Sequence, residues 1–357
     1  MTRTTRMTTG IVAAAAMLAL AAVPAGATDY KMTMGSSHPP VLPWTIPLKV
    51  LIVPDSNKIL QQAGIPDRII WTEAYAGALY DFNNTLEGVG DGLADIGWVG
   101  SLWEPAKQPL QNVAYYMPFV TGDFRNMAKI QDRLVETVPA FAAEWTKNNT
   151  VYLGAEIADT YHLVTKFPVT KFEDLKGKKL IAPGAIASRL QGSGAVPVDA
   201  GLPGFYNMLQ TGVADGALIL ITGVLPFKLH EVAPYITKVD TGAVFAGALA
   251  MNKDTWDKLP PHMKVLFKGL GREYAQMTND ITAQREAAAW AALAKNPNVK
   301  ISELPEAERQ KWANALPDMG AEWVQRNGEP GRQVLKIFME EARKNGAKPL
   351  REWDKGL

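Results

Sequence analysis

Two glycine-punctuated segments, about 30 residues apart, constrain this chain more than any other feature. The first reads Glu173-Asp-Leu-Lys-Gly-Lys-Lys-Leu-Ile-Ala-Pro-Gly184 and the second Tyr206-Asn-Met-Leu-Gln-Thr-Gly-Val-Ala-Asp-Gly216. Gly177 and Gly216 fall where a short turn must reverse the chain, which suits a residue without Cβ. Each turn feeds a short segment, 178–182 and 216–221, that reads as a strand. Pro183-Gly184 stops the first strand and lets a helix start. A helix N-terminus carries partial positive charge and unpaired amides, so it suits an anionic ligand group.

The rest of the chain continues the same alternation. Strands are predicted over 30–34, 68–75, 94–99, 151–157, 161–165 and 243–251. Helical patterns lie over 82–90 and 126–148, and the prolines of 35–40 mark a loop. From Pro260 to about Ala294 the apolar residues Met263, Leu266, Phe267, Leu270, Tyr274, Met277 and Ile281 repeat at helical spacing and form one face of a long helix. Two more helices, over 306–325 and 332–344, close the chain. Strands alternating with helices predict an α/β protein, and a chain of this length is expected to form two domains.

The N-terminus points to export. Arg3 and Arg6 precede an apolar run over 10–23, and Ala25-Gly-Ala27 offers small residues to a signal peptidase. Cleavage after about Ala27 would release a periplasmic protein from a leader spanning 1–27. The leader holds two arginines and no acid, so the mature charge is 35 − 36 = −1. That balance leaves no electrostatic footprint for nucleic acid. With no cysteine, disulfide staples and thiolate chemistry are excluded.

Four motifs in order carry a resemblance. They are Asp91-Gly-Leu-Ala-Asp-Ile-Gly97, Asp174-Leu-Lys-Gly-Lys-Lys-Leu180, Leu209-Gln-Thr-Gly-Val-Ala-Asp-Gly216, and Asn252-Lys-Asp-Thr-Trp256 followed by Leu259-Pro-Pro261. Together, behind a signal peptide, they resemble the TRAP-type (tripartite ATP-independent periplasmic) solute-binding proteins of the DctP-like family. The resemblance implies two α/β lobes of the class II-like periplasmic binding protein fold, joined by hinge strands, with a small organic acid closed between them. It also implies small and large integral membrane subunits as partners. On that reading, lobe I takes 28–158 plus about 244–285. Lobe II takes 159–243 plus about 286–357.

The departures from the family pattern bear on the ligand. Where the resemblance implies a carboxylate-clamping arginine, this chain has Ile181. Tyr161-His162 stand where a second arginine is common, Ile219 replaces a site asparagine, and Leu202 replaces a phenylalanine. Burying an unpaired carboxylate against isoleucine is costly, so an aromatic or apolar monocarboxylate is expected. Trp98, Trp103 and Phe245 lie on segments expected to face the ligand, as do His38, Asp81, Gly100 and Ser101. Each aromatic could equally be core packing. The helix start at Gly184 and the guanidinium of Arg189 are the first candidate charge partners, with His162, His38 and Ser101 as further ones. A solvated surface role is the alternative for Arg189, and a structural hydrogen-bonding role for the two histidines.

Rival readings remain open at this point. A C4-dicarboxylate, a neutral solute or a cationic one would be a different ligand. A receptor for a signalling partner would be a different use, and a periplasmic enzyme a different class. The four histidines, His38, His162, His230 and His262, show no metal-ligand spacing. Nothing in the sequence assembles a nucleophile with its base, and no metal or cofactor is expected.

Overall fold

The computed structural model describes residues 26–357. The predicted leader lies outside them up to residue 25. No helix among the described residues is long and apolar enough to cross a membrane. The chain divides into two compact units. The first holds residues up to Gly100, with Trp145–Glu156 and Gly247–Asp280. The second holds Ser101–Glu144, Ile157–Ala246 and Ile281–Leu357.

The first unit is built on a five-stranded sheet. Its strands are β1 (Asp29–Gly35), β2 (Arg68–Ala74), β3 (Ile96–Gly100), β4 (Thr150–Ala158) and β10 (Val244–Asn252), in the order β2-β1-β3-β10-β4. β1 runs parallel to β2 and β3, and β10 runs antiparallel to β3. The chain passes from one unit to the other after Gly100, after Glu144, within β4, within β10 and within the helix Pro261–Lys295.

The expected apolar stripe anchors that long helix. Met263, Leu266, Phe267, Leu270 and Tyr274 are each at most 1 % exposed. The Tyr274 hydroxyl donates to the Trp44 carbonyl at 2.8 Å. His262 Nε2 meets Asp67 Oδ2 at 2.8 Å in a site where both side chains are fully buried. Helix and strand touch through glycines. A Cβ on Gly154 would lie 2.0 Å from the Gly271 carbonyl oxygen, and one on Gly271 would lie 2.2 Å from that of Leu153. Only residues without side chains permit this backbone-to-backbone approach.

The second unit carries a six-stranded sheet. β5 (Tyr161–Thr165), β6 (Lys179–Ile181), β7 (Val196–Val198), β8 (Gly216–Leu220), β9 (Tyr235–Lys238) and β11 (Lys300–Glu303) lie in the order β11-β9-β5-β8-β6-β7. β5 is antiparallel to both its neighbours, whereas β8, β6 and β7 run parallel.

Segment 101–144, expected in lobe I, packs with the second unit. The reason is local. Helix Phe124–Thr137 lies along helix Met319–Lys344, where Asn126 Nδ2 donates to the Ala342 carbonyl. Trp353 Nε1 donates to the Pro118 carbonyl at 2.8 Å. The single helix expected over 126–148 is two, Phe124–Thr137 and Pro139–Lys147. They are broken at Val138, because the residue before a proline is pushed out of helical geometry. The two closing helices are differently divided, into Glu306–Ala315 and Met319–Lys344, the latter kinked at Gly328 beside Pro330.

Candidate functional site

In the first unit the loop after β1 carries His38, which is 1 % exposed. Its Nδ1 lies 3.0 Å from Ser37 Oγ. The edges and faces of Trp44 and Trp98 enclose the ring, with centroids 5.8 and 5.2 Å away. The two indoles are themselves 5.8 Å apart. Burial pushes the His38 imidazole down to about 4, so at neutral pH it offers a hydrogen bond and no charge. The indole N–H of Trp44 is buried and has no hydrogen-bond partner among the described residues. A buried donor left unmade costs on the order of 1–3 kcal/mol, and such a cost marks it as a candidate ligand contact. Sequence reasoning missed Trp44. Its one signal was an aromatic residue set among the prolines of the first loop.

Two further first-unit positions have protein roles. Asp81 is exposed and caps the turn Phe82–Asn84, accepting from the Asn83 N–H at 2.8 Å. The Gly100 N–H donates to Thr85 Oγ1 at 3.0 Å.

In the second unit Ser101 Oγ donates to Gln108 Oε1 at 3.0 Å, and its carbonyl accepts from Asn112. Trp103 is half-buried. Phe245 is 1 % exposed. The residues at the two places where the resemblance implies arginines lie on strands separated by β8. His162 stands opposite Ile219, and Ala217, two positions along β8, stands beside Ile181. Directly paired residues share a face and neighbours along a strand alternate. His162, Ile219 and Ile181 therefore share one face of the sheet, and Tyr161 projects from the other. Ile181 and Ile219 are 0 % and 3 % exposed, and Leu202 is also buried.

Arg189 is neither solvated nor free. It is fully buried. Nη1 donates to Thr241 Oγ1 at 2.8 Å and to the Gly242 carbonyl at 3.0 Å. Nη2 donates to the Ala114 carbonyl at 2.9 Å and Nε to that of Tyr115 at 3.3 Å. The guanidinium lies over the rings of Tyr161 and Tyr115, at 5.3 and 5.7 Å. Burial pushes its pKa down to about 10, so it stays charged at neutral pH with four of its five N–H groups on neutral oxygens. The helix start at Gly184 is also occupied: its N–H donates to Asp199 Oδ1 at 3.1 Å. The turn Gly184–Leu190 is a tight 3-10 helix. Gly184 has φ +51°, and a Cβ there would lie 2.6 Å from the Leu102 carbonyl oxygen.

Comparison with known proteins places this architecture. Bacterial extracellular solute-binding protein, family 7 (DctP), matches residues 73–326. The chain is 26 % identical over 163 residues to the C4-dicarboxylate-binding periplasmic protein DctP of Rhodobacter capsulatus, covering 45 % of this chain and 49 % of that protein. It spans about half the length of the first curated relatives it matches. It is 25 % identical over 275 residues to the ectoine/5-hydroxyectoine-binding periplasmic protein UehA of Ruegeria pomeroyi, covering 73 % and 77 %. In fold it is similar to a TRAP solute-binding protein of Rhodoferax ferrireducens crystallised with copurified benzoate. That similarity has a TM-score of 0.75, at 22 % identity over 88 % of this chain and 98 % of that one. Two α/β units, the ordered motifs and a family match over more than two thirds of the chain agree. The chain belongs to family 7 of the bacterial extracellular solute-binding proteins, the DctP family.

Proposed function

We propose that this protein is the periplasmic binding component of a TRAP transporter. It captures an aromatic or otherwise apolar monocarboxylate and delivers it, chemically unchanged, to the small and large membrane subunits. The observation that carries the ligand class is Ile181, fully buried at the place where the resemblance implies an arginine clamp. Ile219, at 3 % exposure on the same face, extends that apolar surface. A second carboxylate set against two isoleucines would lose its hydration with nothing in return. A ring is rewarded instead, since fully burying a Phe-sized side chain is worth about 1.5–3 kcal/mol.

One carboxylate can still be met by neutral donors. The Trp44 indole N–H has no partner among the described residues, and His38, held neutral by burial, lies beside it. Arg189 acts within the second unit as a buried tie rather than as a ligand contact, because its donors are already given to protein oxygens.

A neutral or cationic solute is the second reading. The Ruegeria pomeroyi relative is an ectoine-binding protein, and indole faces such as those of Trp44 and Trp98 also attract cations. A thermal-shift screen of the mature protein with benzoate, succinate, galacturonate and ectoine separates these readings. A ligand at 100 times its dissociation constant adds about 2.7 kcal/mol. The proposal expects benzoate to raise the melting temperature and to be recovered intact. A response confined to succinate, galacturonate or ectoine would overturn the ligand class, and conversion of benzoate would overturn the non-enzymatic reading.

A further inference from the structure

The second unit contains a cavity of about 670 Å³, lined from β5, β9, the helix Pro261–Lys295 and the C-terminal segment. Of the site positions singled out from sequence, only His162 lines it. His162 is 5 % exposed. The backbone N–H groups of Val239 and Asp240 both donate to its Nδ1, at 3.3 Å each. An Nδ1 that accepts fixes the ring proton on Nε2. That Nε2–H has no protein acceptor among the described residues.

Beside it stands Trp290, whose ring meets the imidazole at 5.1 Å and carries the Lys238 ammonium at 4.5 Å. Among the charged groups of the wall, acids outnumber bases. Five carboxylates line the cavity against Lys238, Arg309 and Lys348. Two of those cations are committed, Lys238 to the Trp290 ring and Arg309 to Asp240 at 3.5 Å. Asp123, Glu286, Glu303 and Glu306 form no ion pair among the described residues. Glu286 is held above the usual carboxylate range, first by burial and then by Asp240 and Asp123, with Arg125 opposing. A cation placed here would relieve that repulsion.

We propose that this cavity is a second ligand site, for a small organic ammonium compound that also carries an oxygen acceptor. The ammonium pairs with Glu286 beside the Trp290 ring, and the oxygen accepts from His162 Nε2–H. The lining distinguishes such a compound from a bare amine, which leaves the imidazole donor unmet, and from a neutral alcohol, which leaves the carboxylates unmet.

The test uses the mature chain with ethanolamine, ethylamine and ethylene glycol as probes. The backbone amide signals of Val239 and Asp240, which report on the His162 ring, are followed by NMR. Ethanolamine is expected to shift them saturably. Ethylamine should bind about fivefold more weakly, the worth of one hydrogen bond. Ethylene glycol should leave them still. Glu286→Gln should weaken ethanolamine at least fivefold, while Glu340→Gln, on the C-terminal helix, should not. The proposal is overturned if ethanolamine gives no saturable shift up to tens of millimolar, if ethylene glycol matches it, or if Glu286→Gln leaves it unchanged.

Discussion

Arg189→Ala separates a structural tie from a ligand clamp. The guanidinium is fully buried and donates to Thr241 Oγ1 and to the carbonyls of Gly242, Ala114 and Tyr115. Truncation strands three carbonyls and a hydroxyl in the interior, each at a cost of about 1–3 kcal/mol. Part of that is returned. The space vacated admits water to some of these oxygens, and a buried charge without a carboxylate partner is removed with its own desolvation cost. The net loss expected is about 3–5 kcal/mol, the range for breaking a buried charged network. At about 2–4 °C per kcal/mol for a domain of this size, the second unit should melt about 6–20 °C lower. Arg189→Lys keeps the charge but not the fork and should lose about half as much. Urea unfolding followed by circular dichroism measures both. A loss below about 1 kcal/mol, together with ligand affinity falling more than tenfold, would refute the tie and return Arg189 to the ligand.

Three further outcomes follow from buried groups. Trp44→Phe removes an indole N–H that has no partner among the described residues, so stability by urea titration should change by less than about 1 kcal/mol while ligand affinity falls by about 1 kcal/mol; unchanged affinity would leave Trp44 as core. Asp159 accepts from the Thr222 hydroxyl and N–H, and burial raises its pKa to about 7. A carboxyl raised on folding holds its proton in the folded state between about pH 4 and 7, so it lowers stability as pH rises through that window, by up to about 1.4 kcal/mol per unit. The stability of Asp159→Asn relative to the parent should therefore climb from pH 4 to 7 and then level, and a flat difference would sink the assignment. Gly271→Ala sets a Cβ 2.2 Å from the Leu153 carbonyl oxygen and should cost about 3 kcal/mol or more in the first unit; a neutral effect would show that helix and strand can part at no cost.

The elements that carry strong local signals were legible in the sequence. β5 falls on its predicted residues, Tyr161–Thr165. The long helix starts at the predicted prolines because its apolar stripe and its first-turn chemistry agree. Short strands at the second sheet's margins, β7, β9 and β11, were missed. Three or four residues, partly exposed, leave too little periodicity to detect. Helix Val53–Gln62 was also missed.

Sequence offered candidate residues but not how each is held. Ile181 and Ile219 share a buried face because strand pairing aligns them. Which way Tyr161 and His162 point depends on sheet register, which a dipeptide does not encode. Arg189 could not be placed from sequence, because three of its four acceptors are backbone carbonyls 53 to 75 residues away in the chain. Backbone carbonyls leave no trace in residue identity.

Isothermal titration calorimetry of the mature protein with benzoate and succinate, in one buffer at neutral pH, addresses the central claim most directly. Benzoate is expected to bind with one-to-one stoichiometry, with a negative heat-capacity change from ring burial, while succinate gives no heat of binding. Tight binding of succinate with no response to benzoate would contradict the account, since it would require a cationic clamp that an isoleucine side chain cannot supply.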